Sequence, residues 1–204
     1  MAIRDERDLR EAIGEPSPVV VSKIARRLNS LTRQFVERSP FVCVATGRPG
    51  GGLDVSPRGD PPGFVRILDD TTLLIPDRPG NRIADTLTNL LADDRIALLF
   101  VVPGIGDTFR VNGRARIVDD PELLDGSAVE GKRPKLGILV EIEEAYTQCS
   151  KAFIRSDLWN PAKHVDRSEL PRSGAILRAV GADVDPEQYD RERAERYARR
   201  EGLY

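Results

Sequence analysis

Three stretches of the chain combine a basic side chain with hydroxyl or amide donors and with small or turn-forming residues. The first is Asp54-Val55-Ser56-Pro57-Arg58-Gly59-Asp60, the second Pro76-Asp77-Arg78-Pro79-Gly80-Asn81-Arg82, and the third runs from Gln148-Cys149-Ser150-Lys151 to Leu158-Trp159. A phosphate group is held by this mixture: arginine forks for bidentate contact, short donors, and free backbone N–H groups where a helix begins. Asn81-Arg82 stands where a short helix is expected to start. Each stretch alone has a plainer reading. Ser56 to Asp60 suits a surface turn, Asn81 a helix cap, and Lys151 a solvated lysine. Their joint occurrence points to a phosphorylated ligand.

Other chemistry is excluded or left without a carrier. His164 is the sole histidine, in the turn-like stretch Asn160-Pro161-Ala162-Lys163-His164. A three-histidine zinc site and an HExxH site therefore cannot form, and any Ser-His-Asp triad would have to use this residue. It is expected to be a solvated loop histidine. Cys43 and Cys149 lie far apart with no CxxC spacing, which suits free thiols in a reducing compartment. Cys149 beside Lys151 could serve as a redox thiol, since a neighbouring cation lowers a thiol pKa; a buried or idle thiol is the alternative. No side chain stands out as a general acid or base. Tyr146, Glu143 and Glu144 are at hand, but an exposed acidic strand end explains the two glutamates.

Composition narrows the class further. The 204 residues include 31 Lys plus Arg against 33 Asp plus Glu, a net charge of −2. A nucleic-acid binder that relies on bulk positive charge is excluded, although a local basic pocket is not. Apolar residues are 40% and charged residues 31%, the balance of a globular chain. The N-terminus is charged from Arg4 onward and has no apolar leader-like run, and the longest apolar run, Ile96 to Val102, is too short to span a bilayer. A soluble, cytoplasmic protein with no membrane or nucleic-acid partner is expected.

The elements that must position these residues follow from periodicity. Val20, Ile24, Leu28, Leu31 and Phe35 recur by four, four, three and four, which predicts one helix between Ser17-Pro18 and Ser39-Pro40. The pattern then turns to short β-branched runs. Phe41 to Thr46 predicts a strand, Gly47 to Gly52 a glycine-rich turn, and Leu53 to Ser56 its return. Further strands are predicted at Gly63 to Leu68, Thr72 to Pro76, Arg95 to Val102, Thr108 to Val118 and Leu136 to Ile142. The strand at Arg95 to Val102 reads as the most buried. A slip in alternation near Asn112-Gly113 predicts a bulge or a close backbone approach at Gly113. A short helix carries Ile83, Leu87, Leu90 and Leu91 and is closed by Asp93-Asp94. Ala152, Phe153, Leu158 and Trp159 form an apolar set, and Ser173 to Val180 and Pro186 to Arg200 read as surface helices, the last a charged, solvated one. The closely spaced strands suggest an antiparallel barrel or sandwich in one domain: a helical lead-in over about 1–39, a barrel over about 40–160 and a helical tail over about 161–204.

In this order the landmarks resemble a family, the pyridoxamine 5′-phosphate oxidase-like, FMN-binding split β-barrel proteins. The resemblance rests on Ser39-Pro40-Phe41-Val42, Asp54-Val55-Ser56-Pro57-Arg58-Gly59-Asp60, Pro62-Gly63-Phe64-Val65, Pro76-Asp77-Arg78-Pro79-Gly80-Asn81-Arg82, Leu99 to Gly104, Arg110 to Ala115 and Cys149-Ser150-Lys151-Ala152-Phe153 through Leu158-Trp159, and covers roughly residues 17–160. It implies a mainly β fold with flanking helices, a split antiparallel barrel. It also implies a homodimer with FMN at the subunit interface and hydride transfer at the flavin N5 as an FMN-dependent oxidoreductase. By resemblance, Asn81 and Arg82 meet the phosphate, and Ser56 and Arg58 flank phosphate and ribityl. Val55, Pro57, Phe64 and Val65 lie near the ring or ribityl chain through their backbone. Ser150 and Lys151 approach the flavin from the partner subunit, with Lys151 beside the pyrimidine edge, where a cation stabilises negative charge. Arg110 is a flavin or interface residue. The position before the Cys-x-Lys segment is often His in relatives; here it is Gln148, able to hydrogen-bond a flavin carbonyl. The Arg-x-His pattern near a tryptophan that marks B6-oxidising relatives is missing, so vitamin B6 oxidation is not expected. The substrate is left open, as are a non-catalytic flavin carrier or redox sensor and a split barrel that uses the deazaflavin F420. Haem ranks last because His164 is the only histidine available to ligate iron.

Overall fold

The computed structural model describes residues 2–204. In chain order its elements are α1 (Glu6–Ile13), α2 (Pro18–Ser22), α3 (Arg33–Arg38), β1 (Phe41–Gly47), β2 (Leu53–Gly59), β3 (Arg66–Ile67), β4 (Thr72–Asp77), α4 (Asp85–Ala92), β5 (Arg95–Val101), β6 (Thr108–Val118), α5 (Pro121–Asp125), β7 (Leu136–Gln148), α6 (Lys151–Ser156), α7 (Ser173–Ala179) and α8 (Pro186–Ala198). The strands form one antiparallel sheet in the order β2-β1-β5-β6-β7-β4-β3. Its two edge strands, β2 and β3, do not pair with each other, so the sheet curls without closing. This is the expected split antiparallel barrel with helices around it.

Alternation on the strands builds the core. Val42 and Val44 of β1, Leu98 and Phe100 of β5, and Phe109 and Val111 of β6 are buried from one sheet face. Phe35 stacks on Phe109 with ring centroids 5.7 Å apart. The most continuously buried strand is β4, with Leu73, Leu74 and Ile75 all inside. In β5 buried and half-buried residues alternate, so its apolar run marks a sheet with two apolar faces rather than a strand sealed on both sides.

Gly113 is placed as expected. A Cβ there would collide with the Glu141 carbonyl. The register shifts between Asn112 and Gly113, and the extra residue is Glu143 on β7, since Asn112 faces Glu144 and Gly113 faces Ile142. Beyond this bulge β7 leaves β4 and pairs with Ala25, with reciprocal bonds of 3.1 and 2.7 Å to Ala145.

The helix predicted over residues 18–38 is instead two short helices separated by this Ala25 contact. Asn29 ends helical continuity: its side chain accepts from the Leu31 and Thr32 amides at 2.9 and 3.0 Å, a local turn that competes with the helix ladder. Leu28 and Phe35 still pack inward, while Val20 and Leu31 stay exposed. The strand predicted at Gly63 to Leu68 shrinks to the two residues of β3. The last barrel strand is longer than predicted and runs on to Gln148. The predicted start of α4 at Asn81 is also corrected: the helix begins at Asp85, after Arg82 and Ala84 adopt left-handed φ of 66° and 61°. The Asn81 side chain accepts the Ile83 amide at 3.1 Å, closing an Asx turn where a helix would otherwise begin.

Candidate functional site

The split in the barrel is where the charged landmarks meet. On β2 the side chains of Asp54, Ser56 and Arg58 point to the same side as the core residues Thr46, Val44 and Val42 opposite them. They continue the apolar interior as a polar rim. Across the split lie the end of β4 and the loop into α4. Together they wall a cleft of about 370 Å³ lined by Ser56, Arg58, Asp77, Asn81, Arg82 and Thr86, among others. Two of the three basic stretches thus converge.

The polar groups in this cleft are tied from below. Thr86 is buried and donates to Asp54 Oδ2 at 2.9 Å, and Ser56 Oγ donates to the same oxygen at 2.9 Å. Arg58 Nη1 stands 3.1 Å from Asp77 Oδ1, while Arg58 Nε is buried with no hydrogen-bond partner. Burial pushes the Asp77 carboxyl above its ordinary range, and the charge of Arg58 pulls it partly back. One wall therefore offers a guanidinium with an unspent donor beside a carboxylate whose charge is disfavoured by burial. An oxyanion ligand would satisfy the first and favour protonation of the second.

A second contact spans the split behind the first. Asp60, its side chain only 1% exposed, accepts from Arg78 Nε at 2.7 Å. Its other oxygen accepts from the Tyr204 hydroxyl, also at 2.7 Å, and the Arg78 guanidinium lies over the Tyr204 ring at 5.3 Å. The contribution of Tyr204 had no signal in the sequence, because 144 residues separate it from Asp60. Asp77 and Thr86 were likewise invisible as site residues; their types are common, and only the fold brings them to the cleft.

The remaining expected residues lie elsewhere in the chain. Pro57 and Phe64 line a neighbouring cleft of about 410 Å³ walled by Gly202 to Tyr204. The Val65 side chain is part of the core, so it can offer a ligand only its backbone. Val55 faces outward from β2 and is 66% exposed. Arg110 and Gln148 sit together at the far end of β6 and β7, joined by a 3.5 Å bond from Arg110 Nη1 to Gln148 Oε1, with Arg110 over the Tyr146 ring at 5.3 Å. Ser150 precedes α6 without a side-chain capping bond, and Lys151 is its exposed first residue. Asp77 pairs with Leu136 at the start of β7, whereas Gln148 ends it. The cross-strand register nevertheless brings Arg110 into the row of Pro57, three strands away or about 15 Å at ~4.8 Å per strand, but on the outer sheet face, opposite to the face that carries Ser56 and Arg58. Within one chain the third stretch does not reach the cleft.

His164 follows a 3₁₀ turn and is exposed. Cys43 is half-buried and Cys149 exposed, both as free thiols. No group of three or more His, Cys, Asp or Glu among the described residues could hold a metal, and no described helix is long and apolar enough to cross a membrane.

A family model described as pyridoxamine 5′-phosphate oxidase matches residues 28–149, more than half the chain. No curated protein matches. Among solved structures the chain is similar to HupZ of Group A Streptococcus, at 17% identity and TM-score 0.49 over 59% of this chain and 93% of that one. It is also similar to a candidate pyridoxamine 5′-phosphate oxidase of Lactobacillus delbrueckii, at 19% identity and TM-score 0.47 over 60% and 95%. A third is an F420 reductase, at 19% identity and TM-score 0.39 over 60% and 97%.

Proposed function

Because the chain belongs to the pyridoxamine 5′-phosphate oxidase family, we propose that it is an FMN-binding flavoprotein that works as a homodimer and transfers hydride to or from a small molecule. The observation that carries this reading is the cleft at the split. Ser56, Arg58, Asn81 and Arg82, expected from the sequence to hold a phosphate, line one cavity, and Arg58 Nε is buried there without a partner. The residues present fit a phosphorylated flavin.

Each side chain then has a role. Arg82 and Asn81 bind the phosphate, and Arg58 and Ser56 bind phosphate and ribityl. Arg82 is held in a left-handed conformation that costs a non-glycine residue roughly 1–2 kcal/mol, the kind of local strain that accompanies ligand-gripping loops. When bound, the flavin supplies the redox chemistry at N5. Arg110, Gln148, Ser150 and Lys151 reach that ring from the second subunit, with Lys151 placing positive charge near the pyrimidine edge.

The outer face of the sheet supports the dimer. Val55, Ala45 and Ala97 form one cross-strand row, and Pro57, Cys43, Leu99, Arg110 and Tyr146 the next. Leu53 beside them is 92% exposed and Phe41 37%. A continuous apolar sheet face ending in Arg110 suits a self-complementary contact, which would carry one subunit's Arg110 and Gln148 toward the other's cleft.

No His, Cys or Tyr lines the first cleft among the described residues, and the acidic residues in its lining are Asp77 and Asp85. The same observation suits a carrier or sensor that binds flavin without turnover. Purified protein is expected to carry FMN or to take it up on titration, with a flavin absorption spectrum. Turnover of NAD(P)H by the loaded protein separates enzyme from carrier. Arg82→Ala should weaken FMN binding by roughly 1–3 kcal/mol, the loss of one charge-assisted contact in a partly open site. A colourless protein that takes up no FMN defeats the reading.

A further inference from the structure

The segment that follows α8 returns to the split. α7 and α8 pack chiefly on each other: the Gly174 amide donates to Asp190 Oδ1 at 3.0 Å, and Arg193 Nη1 to the Ser173 hydroxyl at 2.7 Å. Residues 200–204 are then tied to the barrel at both of their ends. Arg200 stands 2.9 Å from Glu130, and the Tyr204 hydroxyl reaches the buried Asp60. Lys132 Nζ donates to the Tyr204 carbonyl oxygen at 3.5 Å. The guanidinium groups of Arg78 and Arg200 both stand over the Tyr204 ring, at 5.3 and 5.8 Å.

Arg78 makes two bonds in this cluster. Its Nε donates to Asp60 Oδ2 at 2.7 Å and its Nη2 to the Ser127 carbonyl oxygen at 2.8 Å, so one guanidinium joins the end of β2 to the turn after α5. Arginine and a carboxylate often meet as a fork instead, through two parallel N–H···O bonds. Here the fork is blocked, because the Tyr204 hydroxyl donates to the other oxygen, Asp60 Oδ1, at 2.7 Å. That bond pushes the Tyr204 hydroxyl above the ordinary tyrosine range, so it stays protonated and donating at neutral pH. Without it, Asp60 Oδ1 would lack its donor in a side chain only 1% exposed, which is costly for a carboxylate oxygen. Arg78 Nη2 is the nearest replacement on the same guanidinium, and taking that place would remove it from Ser127.

What moves with Arg78 matters for the first cleft. Only Pro79 and Gly80 separate it from Asn81 and Arg82, and proline fixes one of the torsions between them. Residues 78–82 all line that cleft, whereas Tyr204 lines its two neighbours and not the cleft itself. We propose that Tyr204 is a positioning residue for the phosphate grip: by occupying Asp60 Oδ1 it keeps Arg78 on Ser127 and so sets the loop from which Asn81 and Arg82 meet the ligand. This rests on the flavin reading above. Docking of residues 200–204 then regulates the affinity for a phosphate-bearing ligand without touching it, and undocking loosens the grip.

Dissociation constants for FMN, measured by fluorescence titration on the intact protein, on Tyr204→Phe, on Arg82→Ala and on the double variant, test it. Tyr204→Phe keeps the ring beneath both guanidinium groups and removes one donor. It should weaken FMN binding by about fivefold or more, the scale of one hydrogen bond. In the Arg82→Ala background the same change should cost about twofold or less, because the group it positions is gone. A merely structural role would not produce this loss of additivity, since a general loosening of the fold weakens both backgrounds alike. Equal or larger losses in the Arg82→Ala background, or a Tyr204→Phe variant that binds FMN as the parent does, overturn the positioning role and leave the flavin reading standing. If the parent binds no FMN, both fall.

Discussion

Asp77 is the residue at which charge, burial and ligand meet. Its carboxyl is raised by burial, and it spends the Arg58 guanidinium that the proposed phosphate needs. The sign of the resulting pH dependence follows from that raised value. The folded state holds the Asp77 proton more tightly than the unfolded chain does, so the contribution to stability is more favourable at low pH. It declines as pH rises from the ordinary aspartate range through the raised one. A phosphate dianion bound as proposed would push the carboxyl up further, so flavin binding would take up a proton and weaken as Asp77 ionises. Asp77→Asn should therefore tighten FMN binding by about threefold to tenfold at neutral pH and flatten that part of the affinity–pH curve. Parallel titrations of the two proteins remove the phosphate's own ionisation. Weaker binding in the variant would show that the carboxylate serves to aim Arg58 rather than to compete for it.

At the scale of elements, the parts that could be read from the sequence were those in which one local rule decides. β1, β4 and β6 announce themselves by β-branched runs between turns, and the close approach at Gly113 was visible because only glycine tolerates it. The lead-in helix misled because its period was real: Leu28 and Phe35 do pack inward, but Ala25 finds a better backbone partner in Ala145, exposed when β7 bulges at Glu143. That partner lies 120 residues away along the chain and has no local signature. The stretch expected to hold a phosphate is legible as residues, but its geometry differs from the expectation. Asn81 and Arg82 belong to a loop, so the phosphate contact proposed for Arg82 would be made by its guanidinium and not through a helix N-terminus, whose first turn carries Asp85. The bulge that organises the lead-in depends on Gly113. Gly113→Ala should destabilise the protein by about 1–3 kcal/mol through backbone displacement, read as a lower urea midpoint with the slope unchanged. An unchanged midpoint would mean that β6 and β7 separate there without cost.

For the molecule as a whole, the question is what holds an unclosed barrel together and what its open outer face is for. The edges are bridged by ion pairs instead of a strand ladder: Arg58 to Asp77, and Asp60 to Arg78 with Tyr204 closing over it. The Asp60 carboxylate is nearly sealed from water, so removing its cation should cost about 3–5 kcal/mol, whereas replacing both partners by apolar residues should cost much less. Thermal unfolding of Arg78→Met beside the Asp60→Leu, Arg78→Met pair tests this, and equal losses would reduce the bridge to a surface contact. The ionic seam leaves the cleft open at the split, while Arg110, Gln148 and Lys151, proposed to face a flavin ring, sit at the other end of β7. In the homodimer proposed above, the outer sheet face through the exposed Val55 and the half-buried Cys43 and Leu99 would be the surface by which a second copy brings Arg110 and Gln148 to the cleft. Leu99→Glu puts a charge at the centre of that face without touching the cleft. The variant should run as a monomer by sedimentation velocity where the parent runs as a dimer, keep its melting behaviour apart from the dimer's concentration dependence, and lose most of its flavin affinity although Arg58 and Arg82 remain. A monomeric variant that binds FMN as well as the parent would show that the cleft is sufficient alone, and that Lys151 and Arg110 belong to no flavin site.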